Sequence, residues 1–122
     1  MTLFIVEDDK IQCLILEMMV SKLGVNLKGT EAYGKVAVEK ILREKPDIVL
    51  LDVMLKDSFN GINVAEQIKQ SYNPIIIYIT GNSDDANKKR AQKIGYYDFI
   101  TKPVSLNRLK DTIESIPQSP QQ

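Results

Sequence analysis

Two uninterrupted apolar runs mark the middle of this chain, at residues 48–51 and 75–79. A strand with one face in water alternates apolar and polar side chains, whereas a strand covered on both faces is apolar along its whole length. Both runs have the length of a strand. They therefore predict two central strands of a parallel sheet.

Shorter apolar runs and segments of helical spacing alternate along the rest of the chain. Residues 3–6 predict a first strand, the more polar segment 26–30 a strand near the sheet edge, and residues 97–100 a last strand. Apolar side chains between the strands recur every three or four positions, as on one face of a helix. These positions are Ile11, Leu14, Ile15, Met18 and Met19, then Ala37, Val38, Ile41 and Leu42, then Val64, Ala65 and Ile68, and finally Leu106, Leu109, Ile113 and Ile116.

A further helix, the most polar one, is predicted to start at residues 83–85 and to stop at Gly95. Five strands that alternate with five helices predict an α/β fold, a doubly wound parallel sheet with helices on both faces. At 122 residues the chain has the size of one domain, which we place at residues 1–116. The tail 117–122 contains only Pro, Gln and Ser and is predicted to be flexible or to start a linker.

Composition narrows the possible functions. Lys+Arg and Asp+Glu number 16 each, so nothing in the net charge points to direct binding of nucleic acid or of a membrane surface. Histidine is absent, which excludes Ser–His or Cys–His nucleophilic machinery and histidine-based metal sites within the chain.

The single cysteine, Cys13, falls on a predicted helix as a small buried side chain. The first apolar run is too short for a signal peptide or a membrane span, and we expect a cytoplasmic protein.

Polar side chains follow four of the five predicted strands at their carboxyl ends. Glu7 and Asp8 follow the first strand, Asp52 the third, Thr80 the fourth and Lys102 the fifth. Each has an ordinary interpretation by itself, since acids begin turns, threonines cap helices and lysines lie on surfaces. Because the carboxyl ends of parallel strands meet at one edge, however, all five side chains are predicted to share one crevice.

Three clustered carboxylates need more positive charge than Lys102 supplies. Two like charges about 4 Å apart repel by roughly 4 kcal/mol at an effective dielectric near 20. Mg²⁺ is the natural complement, since it prefers one or two carboxylates together with waters and a phosphate oxygen. In such a site Asp52 would be the nucleophile that forms an acyl phosphate, with Lys102 neutralising charge and Thr80 donating its hydroxyl.

The same residues resemble a known family. The pattern Ile5-Val6-Glu7-Asp8-Asp9, Asp52-Val53-Met54-Leu55, Thr80-Gly81 and Lys102-Pro103 is similar to the receiver domain of bacterial response regulators, over residues 3–115. The resemblance implies a flavodoxin-like sheet of strand order 2-1-3-4-5 and a cis peptide bond before Pro103. It also implies site roles: phospho-acceptor for Asp52, Mg²⁺ ligands from Glu7, Asp8, Asp52 and the Met54 backbone carbonyl, the family's lysine for Lys102, and a switch pair of Thr80 and Phe99.

The resemblance further implies a phosphorelay component rather than an enzyme with its own substrate, because a receiver catalyses only its own phosphorylation and dephosphorylation. Its partner would be a sensor histidine kinase or a histidine phosphotransfer protein. Family members commonly dimerise or meet targets through the face of helix four, strand five and helix five, so a phosphorylation-dependent homodimer is implied as well. The basic run Lys88-Lys89-Arg90 lies on helix four, where a solvated face is the simpler interpretation.

Some positions depart from the family pattern. Lys56 stands where the family often has proline, and Gly61 comes about one residue late, so the loop after Asp52 is expected to differ in shape. Met54 and Asn82 occupy positions that tune the lifetime of the phosphoryl group in the family.

A phosphatase of the haloacid dehalogenase type would need an acid at Met54, and flavodoxin would need a hydroxyl- and glycine-rich loop after strand one. A docking module that keeps the fold without phosphotransfer is the remaining alternative.

Overall fold

A computed structural model describes residues 1–56, 58–81 and 85–117. Its strands form one parallel sheet in the order β2-β1-β3-β4-β5, which confirms the predicted α/β class and the flavodoxin-like strand order. The strands are β1 (Thr2–Val6), β2 (Asn26–Glu31), β3 (Ile48–Asp52), β4 (Ile75–Thr80) and β5 (Asp98–Thr101). The helices are α1 (Lys10–Lys22), α2 (Gly34–Glu44), α3 (Gly61–Ile68), α4 (Asp85–Ile94) and α5 (Leu106–Glu114).

The sheet separates two hydrophobic layers. Alternate residues of β3 point to opposite faces, so that Val49 and Leu51 enter the layer under α2, α3 and α4, while Ile48 and Leu50 enter the layer under α1 and α5. All five residues of β3 are buried, as the uninterrupted apolar run predicts. The central position of β3 fixes where its carboxyl end, Asp52, opens onto the sheet edge.

Helix α1 exposes four of the five apolar residues that identified it, while the fifth, Met19, is partly buried and packs against the core. Ile11, Leu14, Ile15 and Met18 have 40% to 69% of their surface in solvent, whereas Leu16 and Val20 are buried. The helix itself is confirmed, but its sequence carries two apolar stripes, and packing against the sheet uses the stripe with Leu16 and Val20. Spacing alone cannot decide between two such stripes.

Two predictions fall partly outside the described residues. Of the predicted start of the polar helix, Ser83 and Asp84 are not described, and α4 is described from Asp85 onward. Of the predicted tail, residues 118–122 are not described. Helix α5 ends at Glu114, slightly before the last apolar position of the predicted stripe, although Ile116 is buried against the same layer. No helix among the described residues combines the length and apolarity that crossing a bilayer requires.

Cys13 lies on α1, half-buried, with its Sγ 3.7 Å from a carboxylate oxygen of Glu17. Burial, followed by the charge of Glu17, raises the pKa of the Cys13 thiol to about 11. The side chain is therefore a neutral thiol at ordinary pH, in line with the prediction of a packing residue rather than a reactive one.

Candidate functional site

The carboxyl ends of β1 and β3 deliver two buried acids to the same edge. Parallel pairing aligns Val6 with Leu51, so that Glu7 and Asp52, the next residues along each strand, stand side by side. Only 4% of Glu7 and 5% of Asp52 is exposed. Burying two neighbouring carboxylates is costly unless charge or hydrogen bonds compensate.

Asp8 completes an acidic cluster with these two residues. One carboxylate oxygen from each of Glu7, Asp8 and Asp52 can be chosen so that all three lie within 4.8 Å of one another. Asp9, which follows Asp8, is the N-cap of α1: its side chain accepts hydrogen bonds from the backbone N–H groups of Ile11 and Gln12. The cluster therefore contains the acids that the sequence assigned to it.

Lys102 supplies the positive charge at this edge. Its Nζ lies 3.0 Å from a carboxylate oxygen of Glu7 and 3.2 Å from one of Asp52, so one ammonium bridges the two buried acids. The backbone N–H of Lys102 donates to the carbonyl of Thr80 at 2.8 Å, which fixes the end of β5 against β4. The peptide bond between Lys102 and Pro103 is cis, as the family resemblance implies.

Burial and ion pairing both shift the pKa values of Glu7 and Lys102 at this site. Burial raises the pKa of Glu7, the neighbouring Asp52 carboxylate adds to the rise, and hydrogen bonds from the Asp9 backbone and Lys102 only partly oppose it. Burial by itself lowers the pKa of the Lys102 ammonium, but the hydrogen bond to Glu7 and the charge of Asp52 outweigh it and leave this pKa above its usual value. Lys102 therefore stays charged, and the cluster still holds an excess of negative charge.

The cluster has the donor chemistry of a Mg²⁺ site. Its potential ligands are carboxylate oxygens, which hard divalent cations prefer, and the excess of negative charge over Lys102 favours a cation. A cavity of about 380 Å³ opens in front of the cluster and exposes Asp8, Asp52 and Lys102 to the same space. The site thus has room for an ion, waters and a small anionic group together.

Gly61 lets helix α3 approach the back of Asp52. A Cβ at this position would lie 2.2 Å from the backbone carbonyl oxygen of Asp52, so any larger residue would displace one of the two segments. Asn60 and Asn63 cap the helix reciprocally, with each side chain accepting from the other residue's backbone N–H, at 3.1 and 3.0 Å. This packing fixes the backbone at the end of β3 from behind.

Lys56 contributes a contact that sequence reasoning missed. Its backbone N–H donates a hydrogen bond to the Asp8 carboxylate, which ties the loop after β3 to the acidic cluster. The sequence identified Lys56 only as a departure from the family's proline. Proline has no N–H, so this bond depends on the departure.

Met54 has an exposed side chain, and its backbone N–H donates to the Asp52 carboxylate at 3.1 Å. The metal-binding role of its carbonyl stays a prediction. Asn82, the second position expected to affect the phosphoryl lifetime, lies outside the described residues.

The expected switch pair lies on neighbouring strands beside the cluster. Thr80 ends β4 and is fully buried, and Phe99 on β5 is half-buried. The ring of Phe99 contacts the rings of Tyr78 and Tyr96, at centroid distances of 5.7 and 5.6 Å, and the ammonium of Lys88 lies 5.8 Å above it. The structure thus places Thr80 at the end of the strand next to β3, although Thr80 is not among the residues that line the cavity, and it places Phe99 near Lys88 of α4.

Comparison with known proteins gives a consistent result. The family model described as response regulator receiver domain matches residues 3–114. The signal receiver domain of a modulated diguanylate cyclase from Desulfovibrio desulfuricans G20 is similar at 30% identity and a TM-score of 0.87, over 93% of this chain and 90% of that one.

Two other similar structures contain beryllofluoride. The BeF3-activated N-terminal receiver domain of Klebsiella pneumoniae RstA is 29% identical with a TM-score of 0.79, over 93% of this chain and 96% of that one. The CheX-CheY-BeF3-Mg²⁺ complex from Borrelia burgdorferi contains a chain that is 26% identical with a TM-score of 0.85, over 93% of this chain and 87% of that one.

Proposed function

As this chain belongs to the response regulator receiver domain family of two-component systems, we propose that it accepts a phosphoryl group on Asp52. The donor is the phosphohistidine of a sensor histidine kinase or of a histidine phosphotransfer protein, and the reaction depends on Mg²⁺. The chain acts as a cytoplasmic signalling phospho-acceptor. It has no substrate to turn over beyond its own phosphorylation and dephosphorylation.

The observation that carries the proposal is the position of Lys102 between Glu7 and Asp52. Its ammonium lies 3.2 Å from one Asp52 carboxylate oxygen, while the other Asp52 oxygen accepts from the Met54 N–H. Both oxygens therefore have fixed directions at the opening of the cavity. A fixed carboxylate beside a fixed cation is the arrangement that nucleophilic attack on a phosphoryl group requires.

In the proposed reaction a carboxylate oxygen of Asp52 forms a bond to phosphorus as the bond from phosphorus to the donor histidine nitrogen breaks. The product is an acyl phosphate and a free imidazole. The Lys102 ammonium stabilises negative charge on the transferred oxygens, and the Thr80 hydroxyl donates to one of them. Histidine comes from the donor, since this chain contains none.

Glu7, Asp8, Asp52 and the Met54 carbonyl are the residues that would hold Mg²⁺, directly or through water. The bound ion would neutralise charge on the phosphoryl oxygens and on the acids together. The carboxylate spacing and the 380 Å³ cavity support this assignment. So does the similarity to the Borrelia burgdorferi chain whose structure contains both beryllofluoride and Mg²⁺.

The exposed apolar stripe of α1 is the surface that we assign to the phosphodonor protein. Leu14 lines a cavity that Asp8 also lines, so the stripe begins at the rim of the acidic site. Met18 continues it by one turn and borders a second apolar cavity together with Leu106 of α5. A histidine presented by a helical donor would reach Asp52 while its flanking apolar residues cover this stripe.

Phosphorylation is proposed to switch the face formed by α4, β5 and α5. Added charge at Asp52 draws the Thr80 hydroxyl toward the phosphoryl group, and Phe99 turns into the space that Thr80 vacates. The altered face then forms a homodimer or binds a target.

Incubation with acetyl phosphate and Mg²⁺, followed by intact-mass measurement, tests the proposal. We expect one phosphoryl adduct on the wild type and none on Asp52→Asn or when Mg²⁺ is removed with a chelator. Absence of both an adduct and calorimetrically detectable Mg²⁺ binding would contradict the proposal and favour the alternative, a docking module that keeps the fold without phosphotransfer.

A further inference from the structure

Helix α4 buries few of its residues against the rest of the domain. Ala91 is the only fully buried residue among those described in this helix, whereas α2 and α3 bury four and five residues. Three polar contacts also connect α4 to other segments of the domain. They join Asn87 Nδ2 to Met54 Sδ at 3.6 Å, Arg90 Nη2 to Glu66 Oε1 at 3.9 Å, and Lys69 Nζ to the Ile94 carbonyl oxygen at 3.1 Å.

Tyr78 lies beneath this loosely held helix. Its side chain is fully buried, and its hydroxyl has no hydrogen-bond partner in the part of the chain that the structure describes. The ring contacts Tyr96 at 5.6 Å and Phe99 at 5.7 Å between centroids. Tyr78 also precedes Thr80 by two residues on β4, so both side chains point to the same face of the sheet.

Charged residues of α3 and α4 affect the Tyr78 hydroxyl. Burial raises the pKa of Tyr78, whereas the charges of Arg90 on α4 and Glu66 on α3 have smaller effects on this pKa, in opposite directions. The hydroxyl is therefore neutral, and no described residue hydrogen-bonds to it. A buried polar group without a partner destabilises the conformation that leaves it so.

We propose that the resting position of α4 leaves the Tyr78 hydroxyl unpaired, and that a shift of α4 on phosphorylation gives it a hydrogen-bond partner. Tyr78 is thus a positioning residue of the switch, which biases the domain toward its activated conformation without touching the phosphoryl group. This inference rests on the proposed function, since it needs a phosphorylated state. It adds to the switch a hydroxyl group that neither Thr80 nor Phe99 supplies.

Tyr78→Phe tests the inference, because it removes the hydroxyl and keeps the ring. In the resting protein we expect the urea midpoint to rise with an unchanged slope, as an unpaired buried group is lost. Stabilising the resting state lowers the population of the activated one, so the affinity for beryllofluoride with Mg²⁺ should fall about five- to tenfold. Calorimetry is the suitable method, since the chain contains no tryptophan.

Tyr72→Phe is the matched control, because the Tyr72 hydroxyl donates to the Pro46 carbonyl at 3.0 Å. Its removal should lower the urea midpoint and leave beryllofluoride affinity unchanged. An unchanged affinity of Tyr78→Phe for beryllofluoride would overturn the inference. A lowered urea midpoint of this variant would overturn it as well, because it would show that the hydroxyl has a hydrogen-bond partner such as water. Asp52→Asn separates a failure of this inference from a failure of the proposed function. If the wild type does not bind beryllofluoride, or if Asp52→Asn binds it as tightly as the wild type, the proposed function is contradicted, and this inference with it.

Discussion

Lys102 links the electrostatics of the site to its chemistry. The residue joins two carboxylates, one just after β1 and one at the end of β3, that are both almost fully buried. Without an ammonium between them, Glu7 and Asp52 would repel each other by roughly 4 kcal/mol at a separation of about 4 Å and an effective dielectric near 20. In the proposed reaction the same ammonium would also stabilise the transferred phosphoryl group.

Lys102→Met should therefore reduce the rate of phosphorylation by acetyl phosphate on the order of 10²-fold, the typical effect of removing one transition-state donor. Mg²⁺ affinity should stay equal or rise, because the competing positive charge is gone. Intact-mass time courses and calorimetry measure the two quantities.

Lys56→Met is the control for Lys102→Met. It removes a nearby exposed charge but keeps the backbone N–H that binds Asp8. Its phosphorylation rate should stay within about fivefold of wild type, since exposed charges contribute about 1 kcal/mol or less. Equal losses of phosphorylation rate in the two variants would show that the rate depends only on overall charge, and would contradict the proposed role of Lys102.

Residue types and their positions at strand ends were sufficient to predict which side chains share the site. Glu7, Asp8, Asp52, Thr80 and Lys102 all lie at the edge where the parallel sheet was expected to bring them. The contact from the Lys56 backbone could not be predicted, because it depends on the path of an irregular loop and carries no side-chain signal. The close approach of Gly61 to Asp52 was equally hidden, although the glycine itself marked the end of the loop.

At the scale of elements, a polar network fixes α5 against β5. Arg108 binds the Asp98 carboxylate with Nη1 at 2.8 Å and Nη2 at 3.2 Å, and the Thr112 hydroxyl donates to the same carboxylate at 2.6 Å. Arg108, opposed in part by burial and supported by Thr112, lowers the pKa of Asp98 to about 2. The network lies on the face that is proposed to switch.

The lowered pKa of Asp98 predicts a pH-dependent contribution to stability. A carboxyl group whose folded pKa lies below its unfolded value of 3.8 stabilises the fold above that value, and the effect is lost as pH falls through the folded pKa. Asp98→Asn should therefore lower the free energy of unfolding by about 1 to 2 kcal/mol at pH 7, a value reduced for the partial exposure of Arg108.

Urea titrations at several pH values measure this difference between wild type and Asp98→Asn. The difference should shrink between about pH 4 and about pH 2. Asp111→Asn, on the exposed side of α5, is the control and should change little at any pH. A difference that stays constant down to the lowest pH would exclude the charged Asp98–Arg108 pair as its source.

Element types were predictable from the sequence, but the faces that they bury were not always so. Strand β3 is apolar throughout, and burial on both faces follows directly. Helix α1 carries apolar residues on two stripes, so only the tertiary structure decides that Leu16 and Val20 face the sheet while Leu14 and Met18 face solvent. Helix α4 has too few apolar residues for its packing to be inferred, and its contacts combine the buried Ala91 with polar contacts of Asn87 and Arg90.

At the scale of the whole molecule, the acidic site and the exposed stripe of α1 lie side by side. Asp8 lines one cavity together with Leu14 and a second cavity together with Asp52, so the stripe and the acidic site are neighbours on the surface. The strand order places β1 and β3 at the centre of the sheet, which puts both features at the same edge of the domain. We expect a small phosphodonor to need only the acidic site, and a protein donor to contact the stripe as well.

Met18→Lys should therefore reduce phosphotransfer from a histidine phosphodonor protein that phosphorylates the wild type by tenfold or more, an effect of about 1.4 kcal/mol or greater. Phosphorylation by acetyl phosphate should be unaffected, because Met18 lies away from the acidic cluster. Val36→Lys, an exposed apolar position on α2, is the control and should leave both reactions unchanged. A normal rate of protein-dependent transfer in Met18→Lys would exclude this stripe as the docking surface.

Identifying the side chain that carries the phosphoryl group tests directly whether Asp52 is the phospho-acceptor. Protein treated with acetyl phosphate and Mg²⁺ is reduced with borohydride, which converts an aspartyl phosphate to homoserine, and the digested peptides are sequenced by mass spectrometry. We predict homoserine at position 52 and aspartate at position 8. Reduction at Asp8 or Glu7 instead, or a phosphoryl group that stays on a hydroxyl side chain, would contradict the assignment of Asp52 as the phospho-acceptor.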